Sequence, residues 1–191
     1  MEGNNKMTNL TGKKIAILAT DGFEQSELLD PQRALQAAGA ETRIVSLKKG
    51  TITGWTANNW GEAVAVDLDI DEAKAEDFDG LLLPGGVMNP DRLRINPKAV
   101  AFARAFFDTH KIVAAICHGP WLLVEAGIVK GRTLTAWPSL RTDIVNAGGK
   151  WVDREVVSEE RLITSRKPGD IPAFNRAFIN ALEGVSVKAA A

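Results

Sequence analysis

Ile112-Val113-Ala114-Ala115-Ile116-Cys117-His118-Gly119-Pro120-Trp121-Leu122-Leu123 passes from an apolar run through a tight turn into a helical segment. Ile112 to Ile116 reads as a buried strand, and Pro120 to Ala126 as a helix closed by Gly127. A missing N–H costs nothing in the first turn of a helix, so Pro120 fits there. Gly119 removes side-chain bulk where the backbone turns. The turn holds the only cysteine of 191 residues, with a histidine directly after it.

Free cysteine usually acts as a small buried hydrophobe. The junction argues for more. Unpaired N–H groups and the positive end of the helix dipole favour a thiolate. In such settings a thiol pKa of about 8.5 falls to roughly 3.5–7.5. The pattern Ala115-x-Cys117-x-Gly119 copies the spacing of the G-x-S-x-G nucleophile elbow, with Cys in place of Ser. Cys117 is therefore the candidate nucleophile.

Outward from this stretch, short apolar runs alternate with amphipathic patterns, which predicts an α/β fold with a mostly parallel sheet. Lys14 to Ala19, Arg43 to Leu47 and Asp79 to Leu83 read as strands. So do Thr133 to Trp137, 151–157 and 161–165, and residues 51–67 as short strands or a hairpin. Helices are expected from a Ser26 cap to Ala38 with Pro31 early in it, over Asp71 to Phe78, and after an Asn96-Pro97 start. Two more follow Ser139 and Asp170 caps. Ala99, Phe102, Ala103 and Phe106 share one helical face, as do Ile171, Phe174, Phe178 and Leu182. Ligands of such sheets gather at the carboxyl ends of the strands, where residues 20–26, 84–91 and 117–121 fall.

The chain has 23 Lys and Arg against 24 Asp and Glu, a net charge of −1 with no basic patch. Nucleic acid is not expected as the main partner. One cysteine excludes an internal disulfide and suits a reducing cytosol. No secretory h-region or long apolar span stands out, so no membrane insertion is expected. Residues 1–12 read as a disordered leader, 13–184 as one domain and 185–191 as a flexible tail. There is no P-loop and no G-x-G-x-x-G after a strand, and one Cys with two His cannot close a zinc site. No cofactor or metal is expected.

A sulfur nucleophile needs a proton partner and donors for a developing oxyanion. His118 is the plausible histidine, since His110 reads as a surface residue near a helix end. Glu24, after the first strand, could face the sulfur and donate to it; an ordinary loop carboxylate is the plainer reading. Asp91 could orient an imidazole or simply pair with Arg92 or Arg94. The amides of Gly86 and His118 could form an oxyanion hole. Trp121 and Trp137 could line the site, though core aromatics are the plainer reading.

Asp21-Gly22-Phe23-Glu24, Leu83-Pro84-Gly85-Gly86, Ala115 to Pro120 and Thr164-Ser165-Arg166-Lys167-Pro168 occur here in one order and spacing. Together they resemble the DJ-one/ThiJ/PfpI superfamily, and within it the PfpI-like intracellular protease and general stress protein group. The resemblance runs from about Lys13 to Gly184. It implies a flavodoxin-like three-layer α/β/α sandwich related to class I glutamine amidotransferases. The downstream His-x-Glu of amidotransferase chemistry is missing. By resemblance Cys117 is the nucleophile, Glu24 the acid on its sulfur and His118 the site histidine. Asp91 would complete a triad from a neighbouring subunit, in a homodimer or, as in some members, a hexamer.

Three functions follow as expectations. The first is a cytoplasmic stress-response enzyme with cofactor-independent glyoxalase or protein deglycase chemistry on small reactive carbonyls. The second is an intracellular cysteine peptidase with a peptide substrate. The third is a non-enzymatic redox sensor or chaperone, with Cys117 oxidised to sulfinate.

Overall fold

The computed structural model describes residues 9–184. Along the chain run β1 (Lys14–Leu18), β2 (Phe23–Glu24), α1 (Gln25–Ala37), β3 (Glu41–Ser46), β4 (Thr51–Thr56), β5 (Asn59–Ala65) and β6 (Leu68–Asp69). Then come β7 (Gly80–Leu83), α2 (Met88–Arg94), α3 (Pro97–Asp108), β8 (Ile112–Ile116), α4 (Pro120–Glu125) and β9 (Thr133–Leu134). The last part holds α5 (Arg141–Asn146), β10 (Lys150–Trp151), β11 (Val156–Glu159), β12 (Leu162–Ser165) and α6 (Ile171–Leu182).

Seven strands form the central sheet in the order β11-β12-β8-β7-β1-β3-β6. Every pairing in it is parallel except β11 with β12. Strands covered on both faces need apolar residues at every position, and Ile15 to Leu18, Leu81 to Leu83 and Val113 to Ile116 are all buried. The period of two divides them between layers. Ile15 and Ile17 pack with Leu28, Leu35, Phe174 and Phe178 of α1 and α6. Ala16 and Leu18 belong with Phe102, Phe106, Leu122 and Ile144 of α3, α4 and α5. The result is the flavodoxin-like sandwich with helices on both faces. Residues 51–67 are largely a hairpin, β4 against β5, which β2 joins as a small separate sheet. Among the described residues no helix is long and apolar enough to cross a membrane.

Several expected boundaries move, each for a local reason. The leader was expected to reach residue 12, yet Leu10 is buried and its amide donates to Ala38 O at 2.7 Å. Residues 1–8 of that leader and the tail 185–191 lie outside the described residues. Ser26 does not cap α1. Glu24 does, accepting Glu27 N–H, while Ser26 Oγ donates to the same carboxylate at 2.6 Å. The expected helix over Asp71 to Phe78 shrinks to a 3-10 turn at Ala75–Asp77, because Asp69 takes the amide of Asp71 and so offers the backbone an alternative partner. The expected strand Thr133 to Trp137 stops at Leu134, since Thr164 Oγ1 accepts the amide of Thr135. Asp170 sits at the N-cap of α6 but makes no capping bond; its carboxylate binds Arg166. Ser139 makes no cap either, and its hydroxyl faces His118. Asn96 does cap its helix, accepting the amides of Lys98 and Ala99.

Candidate active site

The strand order reverses beside β1, where the chain leaves for β3 on one side and β7 on the other. Crevices form at such switch points. Three loops meet at this end of the sheet, after β1, β7 and β8. Asn89 ties two of them together from a fully buried position. Its Oδ1 accepts the amide of Thr20 at 2.8 Å, and its Nδ2 donates to the carbonyls of Pro84 and Gly85.

Cys117 occupies the turn after β8 with φ +61°. A residue with a Cβ adopts this left-handed conformation only when its surroundings hold it there. Two backbone bonds do so. The Cys117 amide donates to Ser165 O at 3.0 Å, and its carbonyl accepts the amide of Trp137 at 2.9 Å. This gives the Thr164-Ser165 segment its place in the site. Two glycines allow the close approach. A Cβ on Gly119 would stand 2.5 Å from Leu83 O, and one on Gly85 would stand 2.6 Å from Cys117 Cβ.

The acid beside the sulfur is Glu27, in the first turn of α1, and not Glu24. Glu27 is fully buried, its Oε2 accepts the Gly85 amide at 2.9 Å, and its carboxyl interacts directly with the Cys117 thiol. Glu24 is only half-buried and is spent on the helix cap, accepting from Ser26 and from the amide of Glu27. The signal for Glu27 was present in the spacing. Residues 27, 31 and 35 run i, i+4, i+8 along the buried face of α1, so a carboxyl sits at the head of an apolar stripe. Pro31 lacks the N–H that would reach the Glu27 carbonyl.

Burial, reinforced by the neighbouring Glu24 charge, pushes the Glu27 carboxyl up to about 8. Burial also pushes the Cys117 thiol up, and a charged Glu27 pushes it further. The expected lowering by a helix N-terminus is outweighed here. Cys117 is 6 % exposed and α4 is a single short helix of six residues. Against burial stand the backbone N–H groups of Gly86 and His118, both aimed at the sulfur. Thiol and carboxyl thus titrate as one pair. When Glu27 holds the shared proton it donates to a sulfur anion, and its own charge no longer opposes that anion.

His118 Nδ1 lies 3.2 Å from Cys117 Sγ. Burial pushes its pKa down to about 4, so the ring is neutral at pH 7 and one of its nitrogens carries a free lone pair. Trp137 stacks on it with centroids 5.9 Å apart at 25°, and Trp121 meets it edge-on at 5.1 Å. Trp121 also donates from Nε1 to Asp143 at 2.7 Å and lies 4.6 Å under the Arg94 guanidinium. Asp91, exposed on α2, pairs with Arg94 at 3.3 Å and is not a hydrogen-bond partner of His118 within the chain. His110 follows α3 on the surface. The elbow thus assembles Cys117, His118, the Gly86 amide and Glu27. The sequence reading missed Glu27, Asn89 and Ser139.

A flavodoxin-like sandwich with a cysteine elbow and a buried acid on its sulfur defines a recognisable class. The chain belongs to the DJ-1/PfpI family, which it matches over residues 13–181. It is similar to Deglycase PfpI of Pyrococcus furiosus, 45% identical over 170 residues that cover 89% of this chain and 99% of the relative. It is similar as well to General stress protein 18 of Bacillus subtilis, 46% identical over 175 residues covering 90% and 99%. Among solved structures, a two-domain protein of Anabaena variabilis with DJ-1/ThiJ/PfpI-like and ferritin-like domains superposes with a TM-score of 0.85 at 34% identity. That match covers 90% of this chain and 48% of the other, so this chain spans about half of the two-domain protein.

Proposed function

We propose that this chain is a cysteine-dependent enzyme of the stress response that acts on reactive carbonyls without a cofactor, as a glyoxalase or protein deglycase. One observation carries the reading. A strained Cys117 holds its sulfur 3.2 Å from a neutral imidazole and against a buried carboxyl that keeps its proton near pH 7. The deglycase and stress-protein names of the relatives support it.

The chemistry follows from those groups. Cys117 Sγ adds to the aldehyde carbon of an α-oxoaldehyde such as methylglyoxal, and the thiol proton reaches the carbonyl oxygen through His118 or Glu27. The amides of Gly86 and His118 donate to the oxyanion as it forms. Glu27 or His118 then moves a proton from the former aldehyde carbon to the adjacent oxidised carbon, which turns the hemithioacetal into a thioester. Water cleaves the thioester, releases a 2-hydroxy acid and restores the thiol. From an adduct of the same aldehyde with a protein amine, the amine leaves as the sulfur takes its place. A reducing cytosol suits a mechanism that rests on one free thiol.

The Cys117–His118 contact also supports a second reading as a cysteine peptidase. There the sulfur attacks a peptide carbonyl, and Asp91 of a second copy orients the imidazole in a homodimer or hexamer. The two readings separate by product. Wild type, Cys117→Ala and Glu27→Gln are assayed against methylglyoxal and a peptide panel. Lactate formed by wild type and lost in both variants supports carbonyl chemistry. A new amine terminus without lactate assigns the peptidase. Equal activity in all three proteins ends both.

A further inference from the structure

Both ring nitrogens of His118 have partners. Nδ1 faces Cys117 Sγ at 3.2 Å, and Nε2 faces Ser139 Oγ at 3.4 Å. A neutral imidazole carries its proton on one nitrogen only. To take the thiol proton, Nδ1 must be bare, which puts the ring proton on Nε2. The group that meets Nε2 therefore decides whether the base is ready. We propose that Ser139 is a positioning residue for the reaction at Cys117, its hydroxyl accepting the Nε2–H proton so that Nδ1 stays free. This inference rests on the reading of Cys117 as a nucleophile.

The local structure holds Ser139 in place for that role. Pro138–Leu140 form one 3-10 turn, and the Leu140 amide donates back to Trp137 O at 2.9 Å. The Trp137 amide in turn donates to the Cys117 carbonyl, so the turn is hydrogen-bonded to the elbow it serves. Trp137 and Trp121 bracket the ring from its face and its edge and fix its plane. Those aromatic contacts leave the tautomer open, because neither bonds a ring nitrogen. Ser139 is exposed while His118 is buried, so the contact joins a surface hydroxyl to a buried ring. A distance of 3.4 Å is long for a settled hydrogen bond and fits a contact that tightens once substrate is bound.

The chain has only His110 and His118, so nitrogen-15 NMR of histidine-labelled protein resolves both, and His110→Gln assigns them. At neutral pH the expected wild-type signal for His118 is a bare Nδ1 and a protonated Nε2. Ser139→Ala is expected to give a tautomer mixture and Ser139→Thr to restore the single form. With methylglyoxal, kcat falls about fivefold in Ser139→Ala at unchanged KM, the loss expected for one net hydrogen bond, and recovers in Ser139→Thr. A wild-type ring protonated on Nδ1, or an Ser139→Ala ring with an unchanged tautomer, overturns the proposal. So does an Asp91→Asn variant that shifts the tautomer when Ser139→Ala does not, which gives the role to an acid of a second copy. Absence of carbonyl turnover in wild type would sink the carbonyl reading alone, because the tautomer is read without substrate.

Discussion

The carboxylate of Glu24 accepts the amide N–H of Glu27 at 3.0 Å, so one acid caps the helix that carries the other to the sulfur. Their roles should come apart on substitution. Glu24→Ala removes a cap and is expected to cost about 1 kcal/mol of stability in urea unfolding. It also removes a charge that helps raise the Glu27 carboxyl, so the rate of Cys117 alkylation by iodoacetamide at neutral pH should shift less than in a Glu27 variant. Glu27→Gln should change that rate and abolish methylglyoxal turnover. A Glu24→Ala protein whose alkylation rate changes more than that of Glu27→Gln would show that Glu24 acts on the sulfur after all.

Glu27 also sets the pH dependence of stability. Its pKa is near 8 in the folded chain against an ordinary 4.5. Between those values the folded state holds a proton that the unfolded state has lost, so stability falls as pH rises from about 4.5 to about 8. His118 works in the opposite sense at lower pH. Its folded pKa near 4 lies below the ordinary 6.5, so stability rises as pH climbs between them. Glu27→Gln removes the first effect and keeps an acceptor for the Gly85 amide. Thermal melts should show the variant gaining on wild type by on the order of a few kcal/mol at pH 8 and by nothing at pH 4. Parallel curves for the two proteins across that range would contradict a raised Glu27.

Cys117 holds a backbone conformation that glycine adopts without strain. Cys117→Gly should therefore be at least as stable as Cys117→Ala, with a gain of about 1 kcal/mol from the φ of +61°. Both should lack turnover. Denaturant midpoints of the two variants decide the matter, and a clearly less stable glycine variant would mean the elbow is not strained.

Gly85 and Gly169 make a matched pair. A Cβ on Gly85 would meet Glu27 Oε2 at 2.4 Å and the His118 amide at 2.9 Å, whereas one on Gly169 meets open space. Gly85→Ala should lose activity and several kcal/mol of stability. Gly169→Ala should behave as wild type in both assays.

Asn89 bonds three backbone groups from a buried position, so Asn89→Leu strands an amide and two carbonyls. The expected cost is about 2–4 kcal/mol by chemical denaturation, with the alkylation rate of Cys117 altered as the loops separate.

The sheet was legible because its strands are covered on both sides. Leu81-Leu82-Leu83 and Val113 to Ile116 could hardly be anything else. The elbow was legible for the same reason: a strand, a Cys, a Gly and a Pro leave one local geometry. What escaped was set by side-chain bonds between distant segments. Thr135 ends a strand early because Thr164 takes its amide, and Ser139 faces a histidine where a cap was expected. The acid on the sulfur was misplaced by one turn of helix, since Glu24 and Glu27 both lie within reach of the first strand's end. Spacing along α1 separates them: Glu27 continues the stripe of Pro31 and Leu35, and Glu24 precedes the helix. The sulfur's ionisation was misjudged because dipole arguments see the helix and not the depth of burial.

The bonds that lock the elbow run to Trp137 and Ser165, both downstream of Cys117. A ribosome has therefore delivered most of the polypeptide before the turn can be fastened. A nascent chain released short of residue 165 keeps only the Trp137 clasp at the turn. The turn is fastened only when the C-terminal third of the chain, which supplies both clasps, has folded against it.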